Sequence, residues 1–189
     1  AVLELIELMT GSVTEQEANL LYIAVTTDTG CFQYANTNAA TLRAAARLLE
    51  LGADNRKVSM EFFRKISRAR MALVGHIYSG MRFFRGGRIA IAVVTRALID
   101  ALQATEDDCD DIAGLPGRAD GVVVSVTIRE LTDGRSKISV RTTPEVDSCA
   151  ICAVYGGGGH KMASGCTLDC GTETAVEKIL AAIDQVWPA

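Results

Sequence analysis

The sequence predicts an α/β chain in two parts: a helical stretch of about 60–70 residues, then a mixed α+β remainder of roughly 100. Three observations predict it. Apolar residues recur at helical spacing up to about Phe84. From Arg88 onward the period changes to two, as in Val122, Val124, Val126 and Ile128. Thr132-Asp133-Gly134-Arg135 then joins two such runs with the Asp-Gly pair of a tight hairpin.

The elements follow in order. Val2, Leu3, Leu5, Ile6, Leu8 and Met9 form a helix that stops at Gly11. Thr14 caps a second helix, with Glu17 completing a capping box, and Ala18, Leu21, Tyr22 and Val25 form its stripe. That pattern breaks at residues 26–30, Thr-Thr-Asp-Thr-Gly. Thr37 or Asn38 caps a third helix running to Leu51, ended by Gly52. Met60, Phe63, Ile66, Ala69, Leu73 and Ile77 mark two more helices, the second a connector reaching about Phe84. Gly86-Gly87 breaks the chain and opens a new unit. There, Ile89–Val94 is a strand, Thr95–Leu102 a short helix, and the acidic residues 106–111 the first turn of another. Gly121–Leu131 and Lys137–Thr142 pair as a hairpin. Pro144–Val154 has room for a helix, Cys166–Cys170 is strand-like, and Thr172–Val186 is a closing amphipathic helix.

Composition narrows the function. With 189 residues, 49% hydrophobic and 22% charged, the chain is globular rather than disordered. A net charge of −4 argues against a surface that coats nucleic acid. One stretch departs from this: residues 56–96 hold ten Lys and Arg against a single acid, Glu61. Such a run is most simply the wet face of two helices, and it is also suited to guiding a polyanion. No apolar run is long enough for a membrane helix, and no secretory signal is visible. Six cysteines in a chain of this size read as reduced thiols and point to the cytoplasm.

The strongest local signal is Tyr155 followed by Gly156, Gly157, Gly158, Gly159, His160 and Lys161. Consecutive glycines expose backbone N–H groups and can wrap an anion as a nest, with His160 and Lys161 adding a donor and a charge. A flexible linker is the plain alternative, but the run lies between a helix and a strand. It is no Walker A loop, since Lys161 follows His160 rather than a glycine. Arg141 shares a strand face with Ser139, and Arg129 lies on the preceding strand. Cys149, Cys152, Cys166 and Cys170 have spacing that zinc accepts. The apolar neighbours Ile151 and Val154 favour buried thiols instead. Asp28-Thr29-Gly30 spells the aspartic protease triplet, but its lead-in is helical rather than an apolar strand.

The segment Gly156–Gly165, with Ile138-Ser139-Val140-Arg141-Thr142 before it, resembles the DHH-associated C-terminal domain of the DHH phosphoesterases. Residues 24–34, followed by Asn36-Thr37, resemble the last metal-binding motif of their catalytic domain, and Leu51-Gly52-Ala53-Asp54 fits the same pattern. Within the family the chain looks most like the bifunctional oligoribonucleases that also dephosphorylate 3′-phosphoadenosine 5′-phosphate. The resemblance implies the helical end of a truncated catalytic domain over 1–64, a helical linker over 65–85, and a substrate-binding domain over 86–189. It implies Asp28 as a metal ligand, a two-metal Mn²⁺ centre, and substrate contacts from Arg141, Gly156–Gly159 and His160. Its ligands would be short single-stranded RNA or DNA, or nucleotide phosphates. A homodimer would cover helices left without their sheet. The motif that names the family, Asp-His-His, is absent: the only histidines are His76 and His160. The chain therefore reads as the C-terminal part of a larger metal-dependent phosphoesterase. Taken alone, it reads alternatively as a non-catalytic nucleotide- or nucleic-acid-binding module.

Overall fold

The computed structural model describes residues 2–34 and 36–188. The chain divides into two compact units, one up to Ile66 and one from Ser67.

The first unit holds α1 (Val2–Thr10), α2 (Glu15–Asp28), α3 (Ala39–Glu50) and α4 (Asn55–Ser59), with a π-helical turn at Met60–Arg64. The capping box forms: the Glu17 N–H donates to Thr14 Oγ1, and the Thr14 N–H donates to the Glu17 carboxylate. Those bonds hold the Glu17 carboxyl below its ordinary range. Helix α2 ends at Asp28, inside the predicted break, and the Thr26 and Thr27 hydroxyls in its last turn donate back to the carbonyls of Tyr22 and Ile23, each at 2.8 Å. Ala18, Tyr22, Ala45, Leu48, Ala53 and Val58 make a small core. Helix α1 buries none of its residues.

The second unit begins with α5 (Arg68–Gly80), followed by β1 (Arg82–Phe84), β2 (Ile89–Val94) and α6 (Arg96–Ala101). Three short 3₁₀ turns lie between Asp107 and Arg118, where the sequence suggested one helix. Then come β3 (Val124–Glu130), β4 (Ser136–Thr142), α7 (Ser148–Ala153), β5 (Gly158–His160), β6 (Ala163–Leu168) and α8 (Thr172–Val186). The six strands form one sheet in the order β1-β2-β3-β4-β6-β5. The β2–β3 pair is parallel and the other pairs are antiparallel. A parallel neighbour needs a crossover, which α6 and the 3₁₀ segment supply.

Alternation sorts the side chains between two faces. Ile89, Ile91, Val124, Val126, Ile128, Ile138 and Val140 pack with α7 and α8 in the main core. On the opposite face, Ala92 and Val94 pack against Leu73 and Ile77 of α5, with Ile99, Ile112 and Leu115. Residues 65–85 are thus not a separate linker, because α5 belongs to the core of the second unit. Near the end of α8, the guanidinium groups of Arg85 and Arg88 lie 5.2 and 4.5 Å from the ring centre of Trp187. Arg85 also donates to the Trp187 carbonyl and to Asp184.

The basic stretch is largely spoken for. Lys65, Arg82, Arg85, Arg88 and Arg96 pair with Glu61, Glu173, Asp184, Glu145 and Asp100. Arg70 donates to the carbonyls of Asp107, Asp108 and Asp110, which pins the 3₁₀ segment.

Candidate functional site

The glycine run serves the fold before it serves any ligand. Gly156 has φ +70°, and its N–H donates to the Ala153 carbonyl while the Gly157 N–H donates to that of Cys152. This is a Schellman stop for α7, which needs a residue without Cβ at Gly156. A Cβ on Gly159, at φ +148°, would come within 2.5 Å of the Ala163 carbonyl. Gly157 and Gly159 therefore face crowded interior, whereas a Cβ on Gly158 would meet nothing within 4 Å. The expected anion nest built from all four amides is corrected here. Two of those amides are consumed by the helix stop, and Gly158-Gly159 pair with β6 as an edge strand.

The residues that do converge lie on one sheet face. Register places Lys137 opposite Arg129, Ser139 opposite Thr127, and Arg141 opposite Ser125. On the other side of β4, Ser139 faces Gly165 and Arg141 faces Ala163. Gly165 faces Gly158, and Ala163 faces His160. Arg141 and His160 thus share one row across the sheet. The next row, Thr127-Ser139-Gly165-Gly158, has two positions without side chains. A third row begins with Arg129 and Lys137. A cavity of about 210 Å³ opens here, lined by Thr127, Arg129, Lys137, Ser139 and Arg141, with residues 109–113 as its wall.

The cations differ in their freedom. Arg129 donates to Glu106 at 2.6 Å and reaches the Cys109 thiol, so it is tied to the 3₁₀ segment. Among the described residues Lys137 and Arg141 enter no ion pair within 4 Å. Arg141 spends one donor on the Val140 carbonyl at 3.0 Å, leaving the rest of its fork for a ligand. The sequence singled out Ser139 only as sharing a face with Arg141, and did not single out Lys137. The signal was there, since Lys137, Ser139 and Arg141 are the outward positions of a period-two strand.

The other predicted site residues lie elsewhere. Asp28 ends α2, and the Asn36 side-chain amide donates to its carboxylate at 3.1 Å. A pair of divalent ions needs several carboxylates and imidazoles. Among the described residues, no three His, Cys, Asp or Glu come together to hold a metal, so they do not make such a centre. The same holds for the cysteine quartet and zinc. All six cysteines are free thiols. Cys152 and Cys166 touch in the core, and the Cys166 thiol is pushed up by its bond to Cys152 and by burial.

The DHHA1 domain profile matches residues 86–187, the whole β-sheet apart from the first strand included. The chain belongs to the DHHA1 domain family. The resemblance to DHH phosphoesterases read from the sequence is thereby shown. The chain is 35% identical to the bifunctional oligoribonuclease and PAP phosphatase NrnA of Thermus thermophilus, over 96% of this chain and 54% of that protein. It is 24% identical to the protein of the same name from Bacillus subtilis, over 80% of this chain and 47% of the relative. An exopolyphosphatase-related protein from Bacteroides fragilis has a similar structure, with a TM-score of 0.85 at 25% identity, covering 96% of this chain and 54% of that one. The chain spans about half the length of the curated relatives it matches. Its DHHA1 part carries the polar sheet face. Among the described residues no helix is long and apolar enough to cross a membrane.

Proposed function

We propose that this chain is the substrate-binding part of a metal-dependent phosphoesterase acting on short oligonucleotides or nucleotide phosphates. The observation that carries the reading is the row formed by Arg141 and His160, with no ion pair to Arg141 within 4 Å among the described residues. A guanidinium presents a planar fork that bonds two phosphate oxygens at once, and an imidazole two strands away in the same row can donate a further bond to the same ligand. Family membership and the names of the relatives supply the substrate class. Mn²⁺ dependence belongs to the proposal and draws on ligands beyond those described here. A cytoplasmic setting accords with six free thiols.

A second reading, binding without hydrolysis, is favoured for this chain alone by the lack of three converging metal ligands among its described residues. One experiment tests both. Short oligoribonucleotides are offered with Mn²⁺ to this chain and to a chain carrying the upstream half of a relative such as the Thermus protein. Binding by both, hydrolysis by the longer one only, and loss of about tenfold in affinity on Arg141→Ala are expected. Hydrolysis by this chain, abolished by Asp28→Ala, would overturn the division of labour. Unchanged binding by Arg141→Ala would overturn the assignment of the site.

A further inference from the structure

We infer that Lys137, seated beside Arg129, forms a second phosphate site on the same sheet face, so that the groove selects ligands with phosphates on more than one nucleotide. The inference rests on the reading that the Arg141–His160 row holds one phosphate. Lys137 and Arg141 are four residues apart on one strand, which separates them by about 13 Å at the backbone. Between them runs the row Thr127-Ser139-Gly165-Gly158, low and uncharged, because two of its members have no side chain. Two banks, each with one unpaired cation among the described residues, Arg141 and Lys137, therefore flank a bare floor. A ligand with one phosphate engages one bank, and a ligand with phosphates two nucleotides apart engages both.

The two members of the second bank have different roles. Arg129 is held by Glu106 and is only 17% exposed, so its charge is largely offset and its part is to hold the wall beside Lys137 in place. Lys137 is exposed and has no acidic partner within 4 Å among the described residues, so its three donors are available. Asp110 and Asp111 also line the cavity. Carboxylates only accept hydrogen bonds, which suits the amino edge of a base and repels a further phosphate. The mixture of charges thus favours an oligonucleotide over an inorganic phosphate chain.

Calorimetry on the full chain tests this with adenosine 5′-monophosphate, 5′-phosphorylated triadenylate and inorganic tripolyphosphate. The parent should bind triadenylate most tightly. Lys137→Gln should weaken triadenylate about tenfold, since a bond to a charged group is lost, and barely change the monophosphate. It should also make the salt dependence of triadenylate binding shallower by about one ion. Lys178→Gln, the same charge change on exposed α8, should do neither. Lys137 is at the surface, so thermal melting should show an unchanged fold. The second site is overturned if Lys137→Gln leaves triadenylate unaffected, weakens both nucleotides equally, or if tripolyphosphate binds as tightly as triadenylate. If Arg141→Ala is silent for every ligand, the underlying reading falls as well. A silent Lys137→Gln beside a damaging Arg141→Ala sinks the second site alone.

Discussion

Gly157 is packed so closely on Cys166 that a Cβ at position 157 would stand 2.4 Å from the Cβ of Cys166 and 2.4 Å from the Gly165 carbonyl oxygen. The contact joins the stop of α7 to strand β6. It explains a run of glycines that looks, in sequence, like a loop made for a ligand.

Gly157→Ala should therefore destabilise the protein by about 1–3 kcal/mol, the usual range for overpacking. Gly158→Ala, whose Cβ meets nothing, should lie within about 0.5 kcal/mol of the parent. Urea unfolding of both variants checks this. Equal losses at the two positions would mean that the backbone, not the Cβ, is limiting.

Ser164 joins the same region from within. Its hydroxyl donates to the Ser148 carbonyl at 2.6 Å and contacts the Cys152 sulfur at 3.0 Å, all of it buried. Ser164→Ala removes a buried hydrogen bond and should cost about 0.5–1.5 kcal/mol. The midpoint of chemical denaturation reads the change.

Acid should loosen the 3₁₀ segment that walls the cavity. The Asp108 carboxyl is held below its ordinary range, first by the Ser67 hydroxyl and then by the Thr105 N–H. A depressed carboxylate contributes above its unfolded pKa, and the contribution is lost as pH falls through the folded value. Asp108→Ala should thus lower stability at neutral pH and flatten its fall below about pH 4. Denaturation midpoints measured from neutral pH down to about pH 3 give the slope, and parallel curves would refute the assignment.

Hydrogen exchange should separate the ends of the chain. Helix α1 buries none of its residues, whereas α8 buries Ala175, Val176, Ile179, Ala182 and Ile183. Amides of α1 should exchange far faster than those of α8, because local opening there exposes little apolar surface. Equal protection in solution would indicate that α1 is covered by another copy or another chain.

Much of the second unit was legible because its patterns are strong. Ile89–Val94 and Thr172–Val186 have the predicted bounds, one as a buried β-branched run, the other as an amphipathic stripe capped by glycine. Strands β1 and β5 were not legible. Arg82-Phe83-Phe84 continues a helical spacing, and Gly-Gly-His has no intrinsic strand preference, so only pairing with β2 and β6 makes them strands. The candidate site was half legible. Arg141 and His160 stood out by motif, but the register that puts Lys137 beside Arg129 depends on which strands are neighbours. The end of α2 was legible to within a few residues, since the helix stops at Asp28 inside the polar stretch 26–30.

The bond from Arg85 to the Trp187 carbonyl spans 102 residues. Arg85, Gly86 and Gly87 all have positive φ, so the turn that launches strand β2 is the kind that requires outside support. That support is synthesised 102 residues later. As the chain leaves a ribosome, β2 emerges well before both the helix that covers it and the tryptophan that its turn grips. The second unit consequently cannot close until α8 and Trp187 have emerged, and its apolar strands pass through a period of dependence on whatever shields nascent chains.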